Sequence, residues 1–150
     1  RMPGSLIDQV AETLAKNPYS KIATACRPLE NQKEYENPDI VKVVRDQKNF
    51  ALYFSRAPIP SSQSTSNIEG GGIYWSIIRR HIGLYAYRVG YLKIFQRQDP
   101  APLERVEKLE QLRALWNGNL ILVCDAVEIP GPGVDTLTDL EAAIRYFSGN

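Results

Sequence analysis

The segment His81-Ile82-Gly83-Leu84-Tyr85-Ala86-Tyr87-Arg88 gathers the side chains best suited to holding a small ligand or moving a proton. In an extended strand, alternation of period two sends His81, Gly83, Tyr85 and Tyr87 to one face and Ile82, Leu84 and Ala86 to the other. The second face suits a packed core. The first is polar, and the absent side chain at Gly83 predicts a gap between imidazole and phenol in which a small polar ligand fits. His81 is the only histidine, and taken alone the octet reads first as a half-buried strand with a hydrogen-bonded imidazole.

Other familiar chemistry is missing. The sequence has no GxxxxGKS, GxGxxG or HExxH, and no second histidine for a conventional metal set or triad. Gly70-Gly71-Gly72 lacks the lysine and strand context of a phosphate cradle and reads as a loop. Glu104, Glu107 and Glu110 at helical spacing read as a solvated helix face, and Asp135 as a helix cap. Cys26 and Cys124 stand apart without CxxC spacing, which predicts reduced, structural thiols.

The elements that position these residues follow from period and punctuation. Ser5-Leu6-Ile7-Asp8 reads as a capping box opening a helix, with Leu6, Val10 and Leu14 as its buried stripe and Asn17-Pro18 as its stop. Residues 21–26 read as a strand and Pro28 to Pro38 as a polar loop. Residues 40–55 read as a hairpin around Asp46-Gln47-Lys48-Asn49. Residues 61–72, rich in Ser, Asn and Gly, predict a mobile surface loop rather than a linker. After the His81 strand, residues 89–95 read as a short helix. Leu103 to Trp116 read as one helix with Val106, Leu109, Leu112 and Trp116 inward, ended by Gly118. Leu120 to Val123 read as a strand covered on both faces. A final helix follows Gly131-Pro132-Gly133, with Thr136 and Asp139 as its capping box and Leu137, Leu140, Ile144 and Phe147 as its stripe.

The 150 residues fit a single domain, 1–150, and 43% hydrophobic against 23% charged is ordinary globular composition. With a net charge of +1 there is no global field to recruit nucleic acid or an anionic membrane. No apolar run is long enough to span a bilayer, and Arg1-Met2-Pro3-Gly4-Ser5 has no signal-peptide character, so the expected location is cytoplasmic.

Four motifs in order, Ser55-Arg56-Ala57-Pro58-Ile59-Pro60, the His81 octet, Pro102-Leu103-Glu104 with Leu109-Glu110-Gln111-Leu112-Arg113, and Gly133-Val134-Asp135-Thr136, carry a resemblance. Over residues 5–148 the chain resembles the C-terminal portion of the 3-deoxy-manno-octulosonate cytidylyltransferases, the CMP-Kdo synthetases of lipopolysaccharide biosynthesis. The resemblance implies an α/β fold: a partial nucleotide-diphospho-sugar transferase-like, Rossmann-like sheet with flanking helices, its N-terminal nucleotide-binding part missing. It implies cytosolic homodimers that couple the acidic sugar Kdo to CTP, releasing pyrophosphate, with Mg²⁺. It also implies roles: Arg56 anchors the sugar carboxylate, His81 and Tyr85 line the sugar groove, Glu110 and Gln111 meet sugar hydroxyls, and Asp135 binds the metal.

By strand rise alone, His81 and Tyr85 stand about 13 Å apart and contact different parts of the sugar. Two departures matter. The family's SGRLPGKPL-type loop, which binds CTP, and its QGDEP segment, with the other metal-binding aspartate, have no counterpart here, and Pro60 is followed by Ser61-Ser62-Gln63 rather than an aromatic or basic residue. The isolated chain is therefore expected to be inactive with CTP. The alternative is a catalytically silent module for dimerisation, through Tyr74-Trp75-Ile77-Ile78, or for binding an acidic sugar.

Overall fold

A computed structural model describes residues 2–61, 77–131 and 144–145. The elements run α1 (Gly4–Lys16), β1 (Ile22–Pro28), α2 (Gln32–Glu36), β2 (Lys42–Arg45), β3 (Ala51–Ser55), β4 (Arg79–Tyr87), α3 (Val89–Phe95), α4 (Pro102–Glu107), α5 (Leu112–Trp116) and β5 (Ile121–Asp125). The strands form one mixed sheet in the order β3-β2-β4-β1-β5, with β1 and β5 parallel and the remaining pairs antiparallel. The sheet with helices on both faces agrees with the expected α/β class.

One face carries α1. Its stripe Leu6, Val10 and Leu14 is buried against Ala23, Ala25 and Ile82, with Leu84, Ala86, Leu122 and Cys124 around them. The helix stops at Asn17, whose side-chain oxygen accepts from the Tyr19 and Ser20 N–H groups. Arg88 closes its C-terminus, donating to the carbonyls of Leu14, Asn17 and Ser20 at 2.9, 2.8 and 3.0 Å, where a cation also meets the negative end of the helix dipole. The capping box expected at Ser5 is absent: Pro3 is the N-cap, and the Ser5 hydroxyl donates to Glu128 at 2.5 Å.

The other face carries the larger core, in which Ile22, Cys26, Val43, Phe54 and Ile121 meet Tyr91, Phe95, Leu109 and Leu112. β5 is covered on both sides as expected, Ile121 and Val123 facing this core and Leu122 and Cys124 facing α1. The hairpin is also as expected. Asn49 takes a positive φ of 66° in its turn, and the Asn49 carbonyl accepts from Val123 N–H at 2.8 Å, fastening the turn to β5.

Two expected elements change. The polar loop after β1 contains α2, started by Asn31, whose side chain accepts from Glu34 N–H at 3.0 Å. The single helix over 103–116 is broken: Lys108 adopts φ 58°, ending α4, and the chain turns before α5. The break returns Leu109 and Leu112 to the core at 6% and 0% exposure and leaves Val106 and Trp116 outside at 81% and 56%. Glu104 is not on a solvated face either. Its carboxylate takes both arms of Arg113, at 2.6 and 2.9 Å, and the guanidinium lies 4.6 Å from the Phe95 ring centroid. Both cysteines are free thiols. Ile78, expected at an oligomer contact, is buried beside Leu29 and Tyr35, whereas Ile77 is exposed. Tyr74, Trp75, the 61–72 loop beyond Ser61, and the last helix apart from the helical, exposed pair Ile144 and Arg145 lie outside the described residues.

Candidate functional site

β4 delivers the octet as the alternation predicts: Ile82, Leu84 and Ala86 toward α1, His81, Tyr85 and Tyr87 toward the larger core. The anticipated ring separation does not survive. Between Thr24 and Ala25 the pairing of β1 with β4 shifts, so that Tyr85 faces Thr24 while Ile82 faces Ala25, and Gly83 and Leu84 are accommodated as a bulge. The bulge shortens the path along β4, and the rings of His81 and Tyr85 pack with centroids 5.2 Å apart and planes inclined at 52°. They extend into a continuous aromatic wall, Phe54 at 5.0 Å from His81, Tyr87 at 5.9 Å from Tyr85, and Phe95 at 5.9 Å from Tyr87. The predicted gap between imidazole and phenol is therefore closed. Open space lies at Gly83 itself, where an added Cβ meets nothing within 4 Å, on a cavity of about 550 Å³ also lined by Arg27, Glu34, Arg80 and Met2.

Thr24, buried in β1, sets the state of His81. Its hydroxyl has one proton and lies 2.7 Å from the Leu84 carbonyl, 3.1 Å from that of Ile82 and 2.9 Å from His81 Nε2. With the proton on the shorter carbonyl contact, the hydroxyl oxygen accepts from Nε2–H, which leaves Nδ1 as the acceptor. Burial pushes the imidazole down to about 3, so His81 is neutral at physiological pH. Burial likewise raises the Tyr85 phenol far above its ordinary value and Tyr87 to about 12, with Glu110 adding to both. These hydroxyls are donors.

Arg56 follows β3. Its guanidinium donates from Nε to the Glu107 carbonyl at 3.2 Å and from Nη1 to the Pro38 carbonyl at 3.1 Å. Among the described residues it forms no ion pair with a carboxylate, unlike Arg27, Arg45, Arg79, Arg80 and Arg113. Among the described residues two of its five side-chain N–H groups are used, one on Nε and one on Nη1, and a guanidinium with donors left over suits a planar anion.

Glu110 and Gln111 occupy the turn between α4 and α5 rather than a polar helical arc. The Glu110 side chain is 69% exposed and 3.7 Å from Arg113, while Gln111 is 6% exposed. Arg56 contacts Glu107, whose helix leads through the turn to Glu110, and Glu110 acts electrostatically on Tyr85, which packs on His81 and through it on Phe54. Of the residues named from sequence, direct contact is seen between His81 and Tyr85, and Glu110 acts electrostatically on Tyr85. Asp135 lies outside the described residues.

The sequence reading missed three contributors. Glu107, taken as solvated, accepts from Ser55 Oγ at 2.6 Å, Arg56 N–H at 3.0 Å and Tyr53 OH at 3.3 Å. Lys42 is fully buried, and Thr24 bears on His81. A lysine within the apolar run Val41-Lys42-Val43-Val44 was the one visible signal. For a divalent cation the described residues offer no group of three or more His, Cys, Asp or Glu side chains, and Asp125 is engaged by Arg45 and Arg79.

A family model described as cytidylyltransferase matches residues 2–121. The 3-deoxy-manno-octulosonate cytidylyltransferase of Nitrosococcus oceani is 50% identical over 143 residues, covering 93% of this chain and 55% of that protein. The protein of the same name from Halorhodospira halophila is 48% identical over 145 residues, covering 96% and 56%. A solved CMP:2-keto-3-deoxy-manno-octonic acid synthetase complexed with CTP superposes with a TM-score of 0.80 at 32% identity, covering 95% of this chain and 55% of that one. The chain spans about half the length of the curated relatives it matches. With its sheet, its motifs and the family match in agreement, this chain belongs to the cytidylyltransferase family.

Proposed function

We propose that the chain carries the sugar-binding part of a CMP-Kdo synthetase, which transfers CMP from CTP to the acidic sugar Kdo and releases pyrophosphate in lipopolysaccharide biosynthesis. The observation that carries this reading is the Arg56 guanidinium, held by two carbonyls and without a carboxylate partner among the described residues, two residues along the chain from Phe54, whose ring meets His81. The sugar carboxylate takes the Nη1 and Nη2 pair of Arg56 through charge-assisted bonds. Neutral His81 offers Nδ1 to a sugar hydroxyl, Tyr85 donates its phenol, and Glu110 and Gln111 meet further hydroxyls.

No step is routed through a metal. Asp135 and Mg²⁺ belong to the reading only as the family implies them, and the CTP-binding loop has no counterpart in this sequence. We place the protein in the cytoplasm as a homodimer. No described helix is long and apolar enough to cross a membrane.

The test is complementation. The 150-residue chain is assayed for pyrophosphate release with CTP, Kdo and Mg²⁺, alone and mixed with the separately expressed N-terminal part of the Nitrosococcus oceani relative. Release only in the mixture, abolished by Arg56→Ala, is expected. Sustained release by the chain alone refutes the division of labour, and Kdo binding without any complementation favours a silent acidic-sugar-binding module.

A further inference from the structure

Arg56 is held through its backbone and its guanidinium by groups that, among the described residues, place no carboxylate on the guanidinium, and this arrangement carries a second assignment. We propose that Glu107 and Lys42 are positioning residues for Arg56, fixing its guanidinium so that it meets an anionic sugar without being neutralised by the protein. The proposal rests on the reading that Arg56 takes the sugar carboxylate.

Glu107 is the last residue of α4, immediately before the left-handed Lys108 at φ 58°. Its carboxylate is occupied by neutral donors, Ser55 Oγ at 2.6 Å, the Arg56 N–H at 3.0 Å and Tyr53 OH at 3.3 Å. Its own carbonyl, one of those a helix C-terminus leaves without an intrahelical partner, accepts Arg56 Nε–H at 3.2 Å. The carboxylate thus fixes the backbone of Arg56 while only a neutral oxygen touches the guanidinium.

Lys42 holds the Arg56 backbone carbonyl. It is fully buried, and its ammonium donates to the carbonyls of Asn37, Ile40 and Arg56 at 2.8, 2.7 and 2.5 Å, with no carboxylate in an ion pair among the described residues. Burial, and then the like charge of Arg56, pull this ammonium below its ordinary value, with Glu107 acting against them. A buried cation satisfied only by carbonyls is costly, and an apolar residue in its place would pack more simply. Here it holds the segments around Asn37, Ile40 and Arg56 together beside the Pro38 carbonyl that takes Arg56 Nη1. Glu107 also begins the turn that presents Glu110 and Gln111, so one residue sets the anion anchor and the hydroxyl contacts in a common register.

The experiment uses the 150-residue chain with Kdo as probe and a double-mutant cycle. Glu107→Gln and Lys42→Met are each expected to weaken Kdo binding about tenfold, with partial rescue by Glu107→Asp. In an Arg56→Ala background Glu107→Gln is expected to change the remaining affinity less than twofold, whereas a merely structural role would lower affinity in both backgrounds. In the unliganded protein the Arg56 Nε proton is expected to exchange at least tenfold faster in Glu107→Gln than in the wild type, with unchanged circular dichroism.

An unchanged exchange rate overturns the positioning role whether or not Kdo binds, and so does an Arg56→Ala that loses affinity while Glu107→Gln does not. A wild type that does not bind Kdo, or an Arg56→Ala that binds as well as wild type, overturns the sugar-carboxylate reading instead. The exchange rate then still decides whether Glu107 holds Arg56.

Discussion

Thr24→Val removes one oxygen from the centre of the site and little else. The residue is fully buried, and valine conserves its volume, so no cavity term arises. Two polar groups lose their partner: His81 Nε2–H, 2.9 Å from the hydroxyl, and the Leu84 carbonyl at 2.7 Å. At roughly 1–3 kcal/mol for each buried group left unsatisfied, part of it recovered by relaxation, the substitution should cost about 3 kcal/mol. For a chain of this size that lowers the melting temperature by about 6–12 °C. Denaturant unfolding should show a lower midpoint with an unchanged slope, and imidazole nitrogen shifts should show the Nε2–H tautomer in the wild type and its loss in the variant.

The pH dependence has a definite sign. His81 is held down to about 3 in the native state by burial, against an ordinary value of 6.5, so the unfolded chain binds the extra proton first. Its contribution is therefore complete above about pH 6.5 and falls as pH drops toward 3, by on the order of 5 kcal/mol in all. A Thr24→Val protein destabilised by less than about 0.5 kcal/mol, with its imidazole tautomer unchanged, would refute the assigned role of the hydroxyl.

Further outcomes follow from other contacts. Arg113→Ala should cost about 3 kcal/mol, read by chemical denaturation, because it strands a Glu104 carboxylate whose side chain is only 13% exposed. Arg113 holds that carboxyl below its ordinary value, so the pair's contribution is present above the usual carboxylate range and lost as acidification passes through the lowered value; a Glu104→Gln protein should show a flatter stability profile there. Lys108→Gly should stabilise by about 0.5–1 kcal/mol in thermal unfolding, since φ 58° carries no penalty for glycine. Arg56→Lys should weaken Kdo binding in calorimetric titration, because a point charge lacks the planar fork. Light scattering at micromolar concentration should give about twice the chain mass, and a soluble monomer would count against the homodimer.

Periodicity alone specified much of this protein. The stripe Leu6, Val10 and Leu14, the alternation of residues 81–87 and the turn at 46–49 are local patterns, and each element formed where its pattern lay because burial of one face decides between strand and helix. The four motifs, through the family they resemble, put forward Arg56, His81, Tyr85, Glu110 and Gln111 as sugar-binding candidates.

Tertiary structure decided the rest. A helical wheel assumes an unbroken helix, and nothing marks lysine, rather than glycine or asparagine, as the residue at a left-handed stop, so Val106 and Trp116 were placed inward and Glu107 outward. Strand rise likewise placed His81 and Tyr85 far apart because a bulge is set by the partner strand, not by the octet. The contacts that define the site join residues distant in sequence: Thr24 with His81, Ser55 and Arg56 with Glu107, Lys42 with Arg56. A carboxylate, an ammonium or a hydroxyl takes its role from whatever donors and acceptors burial leaves beside it, and only the folded chain supplies those neighbours.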